Sequence, residues 1–388
     1  MDFIFSDEQQ AIREAVLKTC ARFGDDYWTQ RDREGGFPEE LYQALAQDGW
    51  LGIAMPKEFG GSGLGITEGA ILVQAVNESG AGLSGGSAIG GNIFAPNVVV
   101  VYGTDEQKQR ILPSLIRGEV RSAFAVTEPN TGLDTLKLRT RAVRDGDRYI
   151  LNGRKVWIST AQVSQKMLIL ARTTPIDQVK RATDGLSLFY TDIDRRYVTV
   201  REIEKMGRKA VDSNELFIDN LPIPAGDRIG EEGRGFHCIL HGLNPERILI
   251  AAGLVGIGRA ALKRAAAYAG QRVVFDRPIG MNQGVQHPLA ECWMELEAAN
   301  LVAFKAATLY DQGQPCGSYA NAAKYLAAQA AVKACETAVL THGGFGYAKE
   351  YQVERYLREV LIHWIAPISP QLVKCFIAEK ELGLPKSY

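Results

Sequence analysis

Five residues, Leu243-Asn244-Pro245-Glu246-Arg247, place a carboxylate directly before a guanidinium at what reads as a helix start. Asn244 can cap a helix, and Pro245 suits its first turn, where a missing N–H costs nothing. A glutamate that follows can simply complement the helix dipole, which holds its pKa down. The same glutamate can serve as a general base if a closed apolar pocket desolvates it and makes it more basic. Farther along, Arg272 precedes Phe275 and Gln283, and its guanidinium fork matches phosphate oxygens. Trp157 and Ser159 combine a flat aromatic with a hydroxyl, which suits an amphipathic ring system, although a lone strand tryptophan is usually core. Gly343-Gly344 reads as a helix stop. The glycines from Gly80 to Gly91 read as a loop connecting helices, because they lack the preceding strand and fixed spacing of a phosphate cradle.

Three kinds of segment must position these residues, and together they predict an α+β multidomain chain. Residues 1–118 read as an N-terminal helical domain: Ser6 with Gln9 makes a capping-box signal, and Ile12, Val16, Cys20 and Phe23 recur at helical spacing before Gly24. Pro38 starts another helix. In residues 119–232 the period becomes two, which predicts a middle β-barrel or sandwich domain. Its strands include 167–171, 186–190 and 215–218, Asn152-Gly153 reads as a turn between strand-like runs, and Leu221-Pro222-Ile223-Pro224 reads as a stiff exit. Residues 233–388 are alanine-rich and helical, with stops at Gly270, Gly313 and Gly343, which predicts a C-terminal four-helix bundle. Helices this long can bury both faces between subunits, so a homotetramer or homodimer is expected.

Taken together the motifs resemble those of the FAD-dependent acyl-CoA dehydrogenases. Phe124-Ala125-Val126-Thr127-Glu128-Pro129-Asn130-Thr131-Gly132-Leu133-Asp134 is similar to the family's Thr-Glu-Pro-x-x-Gly-Ser-Asp loop, with Leu133 in place of the serine. The resemblance implies that Phe124, Val126, Thr127 and Gly132 hold the flavin and that Leu133 borders the substrate. Asn152-Gly153-Arg154-Lys155-Val156-Trp157-Ile158-Ser159 looks like the strand whose tryptophan packs on the isoalloxazine and whose hydroxyl reaches its N5 region. Arg272, Phe275 and Gln283 resemble the segment for the FAD pyrophosphate and adenosine, with Asp276 where glycine is customary and Arg277 able to pair with it. Gly343-Gly344 is similar to the turn that contacts FAD on a neighbouring subunit, with Leu340 in place of a glutamine, and Ser369 and Gln371 align with cofactor contacts.

One departure sets the mechanism that the resemblance implies. The residue aligned with Pro367, beside Ala366 at the substrate, is often the family's catalytic glutamate, and proline can neither take a proton nor donate an N–H to the thioester oxygen. Some members, including those acting on isovaleryl-CoA, carry the base in a Leu-x-x-Glu-Arg segment, which this chain matches at Glu246, with Arg247 shaping the site or pairing with Glu246. The expected reaction is α,β-dehydrogenation of an acyl-CoA, branched or bulky, to the trans-2-enoyl thioester, with electrons passed to an electron-transferring flavoprotein. The alternatives are a flavin oxidase or monooxygenase, a dehydrogenase of carrier-protein-bound acyl groups, and a silent thioester-binding subunit.

Composition narrows the field further. A net charge of -1 gives no broad basic field for nucleic acid or anionic membranes, and no stretch has the roughly 20 apolar residues of a membrane span. The six cysteines lack Cys-x-x-Cys or Cys/His metal spacing, so no metal is expected. Free thiols suit a reducing compartment, the bacterial cytoplasm or a mitochondrial matrix.

Overall fold

The computed structural model describes residues 4–387. Its first part is helical: α1 (Asp7–Cys20), α2 (Asp25–Glu34), α3 (Glu39–Gln47), α4 (Ile66–Val76), α5 (Gly82–Tyr102) and α6 (Asp105–Ile116). The second is a sheet of β1 (Ser122–Ala125), β2 (Arg141–Asp145), β3 (Arg148–Ser159), β4 (Lys166–Arg172), β5 (Leu186–Asp192), β6 (Val198–Glu202), β7 (Ser213–Pro224) and β8 (Arg228–Ile229). Its strand order is β6-β7-β3-β2-β4-β5-β8, with β1 pairing β4 in parallel. The third part holds α7 (Gly235–Gln271), the hairpin β9 (Val273–Val274) and β10 (Arg277–Pro278), α8 (Gln283–Asp311) and α9 (Gly317–His342). It closes with α10 (Val353–Val360), α11 (Ile362–Ile365) and α12 (Pro370–Lys380), all three packed on α9.

Local chemistry explains most element ends. Ser6 and Gln9 form the reciprocal capping box that starts α1. Helix α4 begins after Gly65, which has no side chain to cap it; Asp311 at the end of α8 accepts instead from Ile66 N at 2.8 Å, Thr67 N at 2.9 Å and Thr67 Oγ1 at 2.6 Å. Asp311→Ala is therefore expected to cost about 1–2 kcal/mol in urea unfolding, the range for a lost cap.

The glycine-rich interval is not a loop. Only Gly80 (φ 108°) and Gly82 (φ 61°) leave the helical region, and α5 runs on through Gly85 and Gly86, where a Cβ would meet Ala81 Cβ at 2.4 Å and Asn77 Oδ1 at 2.0 Å. Glycine is retained there for close packing, although each costs about 1 kcal/mol of helix propensity. The break is gripped by two buried residues of α10. Arg355 donates to the Gly80 carbonyl at 2.6 Å and to Glu359 at 3.1 Å, and Glu359 accepts from Ser84 Oγ at 2.7 Å and Ser84 N at 3.1 Å.

Two strand expectations also change. Asn152 and Gly153 lie inside β3, where the ladder to β7 shifts register between Leu151 and Gly153, and the hairpin turn sits at Gly146-Asp147 between the paired Asp145 and Arg148. The Asn152 side chain bonds across to Asn220 rather than closing a turn, accepting from its N–H at 2.8 Å. Residues Leu221 to Pro224 belong to β7, paired with β3 and extending beyond the reach of β6, so the two prolines sit where one strand side is unpaired.

Helix α7 begins at Gly235, ten residues before Pro245, so Glu246 lies within the helix and not in its first turn. Pro245 has no N–H for the His241 carbonyl, but that oxygen lies 3.4 Å from both Asn97 Nδ2 and Tyr310 Oη, donors from α5 and α8. Alanines of α7 and α9, among them Ala261, Ala265, Ala327 and Ala331, then bring the helices together in one buried cluster.

Candidate active site

The first cluster of site residues sits on the sheet. The chain leaves β1 through Phe124, whose ring meets Phe94 of α5 edge-on at 5.4 Å, and Val126 and Thr127 follow. Val156 N donates to the Thr127 carbonyl at 3.0 Å, so the loop and the strand carrying Trp157 are joined. A buried ion pair fastens them: Lys155 Nζ donates to Glu128 Oε1 at 3.0 Å and to the Val126 carbonyl at 2.9 Å. Glu128 also accepts from the amides of Arg139 (2.7 Å) and Thr140 (2.9 Å). Burial pushes Lys155 down to about 8, with Glu128 opposing the shift.

Between Lys155 and Ile158 the β3–β7 ladder bulges, and Trp157 takes φ 61° and is 56% exposed. A left-handed tryptophan more than half exposed is not a core residue, and strain of this kind clusters at functional sites in proteins. Ser159 is half-buried opposite Ser213, and Gly132 and Leu133 are exposed in the loop.

The second cluster surrounds a cavity of about 630 Å³ lined by Tyr268, Arg272, Thr341, Gly343, Gly344 and Phe345, among others. The Arg272 guanidinium makes no hydrogen bond or ion pair among the described residues and lies 5.7 Å from the Phe345 ring. Phe275 and Asp276 form the two-residue turn between β9 and β10 with φ 51° and 61°, and Phe275 is 94% exposed. Asp276 tolerates this conformation in glycine's place. Arg277 donates to Asn282 at 2.5 Å instead of pairing with Asp276. Phe275 and the exposed Gln283 stand outside the cavity.

The third cluster joins α7 to the turn between α11 and α12. Glu246 is partly exposed and makes neither a hydrogen bond nor an ion pair among the described residues. Burial pushes its carboxyl up to about 7, against the lowering charge of Arg247. Arg247 does not pair with it; its contact is with Asn244 Oδ1 at 3.3 Å. Lys324 of α9 is buried, donates to the Ile368 carbonyl at 2.8 Å, and is pushed down to about 8 by burial and then by the Arg247 charge. Ala366 and Pro367, joined by a cis peptide, are half-buried in the turn. The Ser369 hydroxyl is engaged as the cap of α12, accepting from Leu372 N at 3.2 Å, and Gln371 is exposed.

These residues fit FAD. An exposed strained indole offers a flat ring surface, and an unpaired guanidinium on a large open cavity suits a pyrophosphate. Sequence reasoning gave no role to Lys155, Glu128, Lys324 or Tyr268. For Lys155 and Glu128 the signal was their place in two motifs that the fold brings together.

The likeness extends to known proteins. Residues 6–119, 123–221 and 233–366 match the family models of the acyl-CoA dehydrogenase N-terminal, middle and C-terminal domains. The chain is 38% identical over 391 residues to the acyl-CoA dehydrogenase FadE12 of Mycobacterium tuberculosis, covering 100% of this chain and 99% of the relative. It is 34% identical to a 3-(aryl)acrylate reductase of Clostridium sporogenes, covering 92% and 94%. Among solved structures, a glutaryl-coenzyme A dehydrogenase in complex with glutaryl-CoA superposes with a TM-score of 0.94 at 30% identity, covering 100% and 98%. No single helix among the described residues is long and apolar enough to cross a membrane. The chain belongs to the acyl-CoA dehydrogenase family, FAD-dependent oxidoreductases acting on the CH–CH bond of acyl-CoA thioesters.

Proposed function

We propose that this chain dehydrogenates branched or bulky acyl-CoA thioesters to trans-2-enoyl-CoA with Glu246 as the acceptor of the α-proton. The observation that carries this reading is an unpaired carboxylate on α7, raised to about 7 by burial, in a chain whose other candidate position holds Pro367. A base poised near neutral pH is matched to proton abstraction at physiological pH. FAD, when bound, supplies the acceptor for the β-hydride. Thr127, Trp157 and Ser159 would hold its ring system, Arg272, Phe275 and Gln283 its pyrophosphate and adenosine, Ser369 and Gln371 would touch it as well, and Gly343 and Gly344 would contact FAD bound to a neighbouring subunit. The small Ala366 beside Pro367 supports a wide acyl group, as does the likeness to a protein named for 3-(aryl)acrylates.

Exposed Trp293, Met294, Leu301, Leu340 and Tyr347 on the helical part support a homotetramer or homodimer. An electron-transferring flavoprotein is the proposed acceptor of the electrons, and six unpaired cysteines suit a reducing cytoplasm.

Anaerobic titration of the FAD-loaded protein with straight, branched and aryl acyl-CoAs is the test. Flavin absorbance should bleach with at least one wide thioester; bleaching by none, or rapid reoxidation by oxygen, contradicts the dehydrogenase reading. Because Glu246 must be ionised to act, kcat/KM should fall about tenfold for each pH unit below 7 and level off above it. A profile flat from pH 5 to 8 would exclude Glu246.

A further inference from the structure

Removing a proton next to a thioester carbonyl drives negative charge onto the carbonyl oxygen, so the reaction needs a donor there as well as a base. Pro367 has no N–H. The next residue has one without a use: the Ile368 amide makes no hydrogen bond among the described residues, although Ile368 is only 8% exposed. An N–H without an acceptor in a residue so little exposed is uncommon in folded proteins, and it is free to meet an acceptor carried by a ligand.

The turn around it is held by its carbonyls. Lys324, 1% exposed, donates to the Ile368 carbonyl at 2.8 Å, and His363 Nδ1 lies 3.4 Å from the Ala366 carbonyl. Neither Lys324 nor Arg247 has a carboxylate within ion-pair distance among the described residues, and the carboxylate whose charge reaches Arg247 is Glu246, the base itself. That field favours an oxyanion.

We propose that the Ile368 backbone N–H donates to the substrate's carbonyl oxygen, and that Lys324 is the positioning residue that aims it. The inference rests on the reading of Glu246 as the base. As the α-proton passes to the Glu246 carboxylate, the C–H electron pair moves into the enolate. The charge on its oxygen meets the Ile368 amide in the field of Lys324 and Arg247.

The test uses a 3-thiaacyl-CoA on the FAD-loaded protein, a thioester with an α-proton to lose but no β-hydride. Ionisation of the bound analogue is followed by absorbance against pH. Ile368→Ala keeps the N–H and serves as the reference, since it shows what loss of the side chain alone does to ionisation. Ile368→Pro removes it and should make the analogue roughly 100-fold harder to ionise. Lys324→Met should shift ionisation in the same direction, with partial rescue by Lys324→Arg, and it decides the matter if Ile368→Pro does not fold. Unchanged ionisation in Ile368→Pro, or in Lys324→Met, overturns the proposal. Exchange of the analogue's α-proton in Glu246→Gln separates the two readings. If exchange is lost there while Ile368→Pro ionises normally, this inference alone fails; if exchange persists, the base assignment fails.

Discussion

Glu246→Gln should lower kcat by about 10²–10⁴-fold with little change in KM, the usual contribution of a positioned general base. Stopped-flow reduction of the bound flavin reads this directly, and a loss below tenfold would remove Glu246 from the reaction. The same substitution should stabilise the fold at alkaline pH. A glutamate raised from the ordinary 4.5 to about 7 favours folding in its protonated form, and that advantage is lost as pH rises through 7. The rise is worth roughly 3 kcal/mol, and glutamine, which does not titrate, recovers it at pH 8 but not at pH 5. Catalysis and stability should therefore move in opposite directions, the behaviour of a strained functional group rather than of a structural acid.

Glu359→Ala should cost about 3–5 kcal/mol, the price of leaving one member of a buried ion pair uncompensated. Arg355 and Glu359 side chains are 2% and 1% exposed, and Glu359 accepts from both the hydroxyl and the amide of Ser84. Its removal frees Arg355 in the interior and loosens the grip on the bend from Gly80 to Gly82 that launches α5. Urea unfolding at pH 7 measures the loss. A change under 1 kcal/mol would mean that the bend does not depend on Glu359.

The layout of helices, sheet and helices was readable from periodicity, and so was the start of α1, because a capping box and a period are local signals. The start of α7 was not. Asn244-Pro245 is a good local beginning for a helix, yet the bond that Pro245 forfeits is made good by Asn97 and Tyr310, far away in sequence. Asn152-Gly153 failed as a turn for a related reason: Gly146-Asp147 closes the hairpin, and Asn152 is engaged by Asn220 on the neighbouring strand.

For the site, residue types pointed to Glu246, Arg272 and Trp157, but their states came only from the fold. A helix-start glutamate would have been held acidic by the dipole; the interior position removes that influence, and burial pushes the other way. Nothing in the sequence around Lys324 distinguishes it from a surface lysine, since what makes it notable is a partner 44 residues away; Lys155 stood in a motif, but its partner Glu128, 27 residues away, came only with the fold.

Glu246 as the proton acceptor is tested by exchange of the substrate's α-proton with solvent deuterium, followed by NMR under anaerobic conditions. The unmodified FAD-loaded protein should exchange it, and Glu246→Gln, binding FAD and thioester as before, should do so about 100-fold more slowly or less. Equal exchange by the two proteins would contradict the assignment of Glu246 as the proton acceptor.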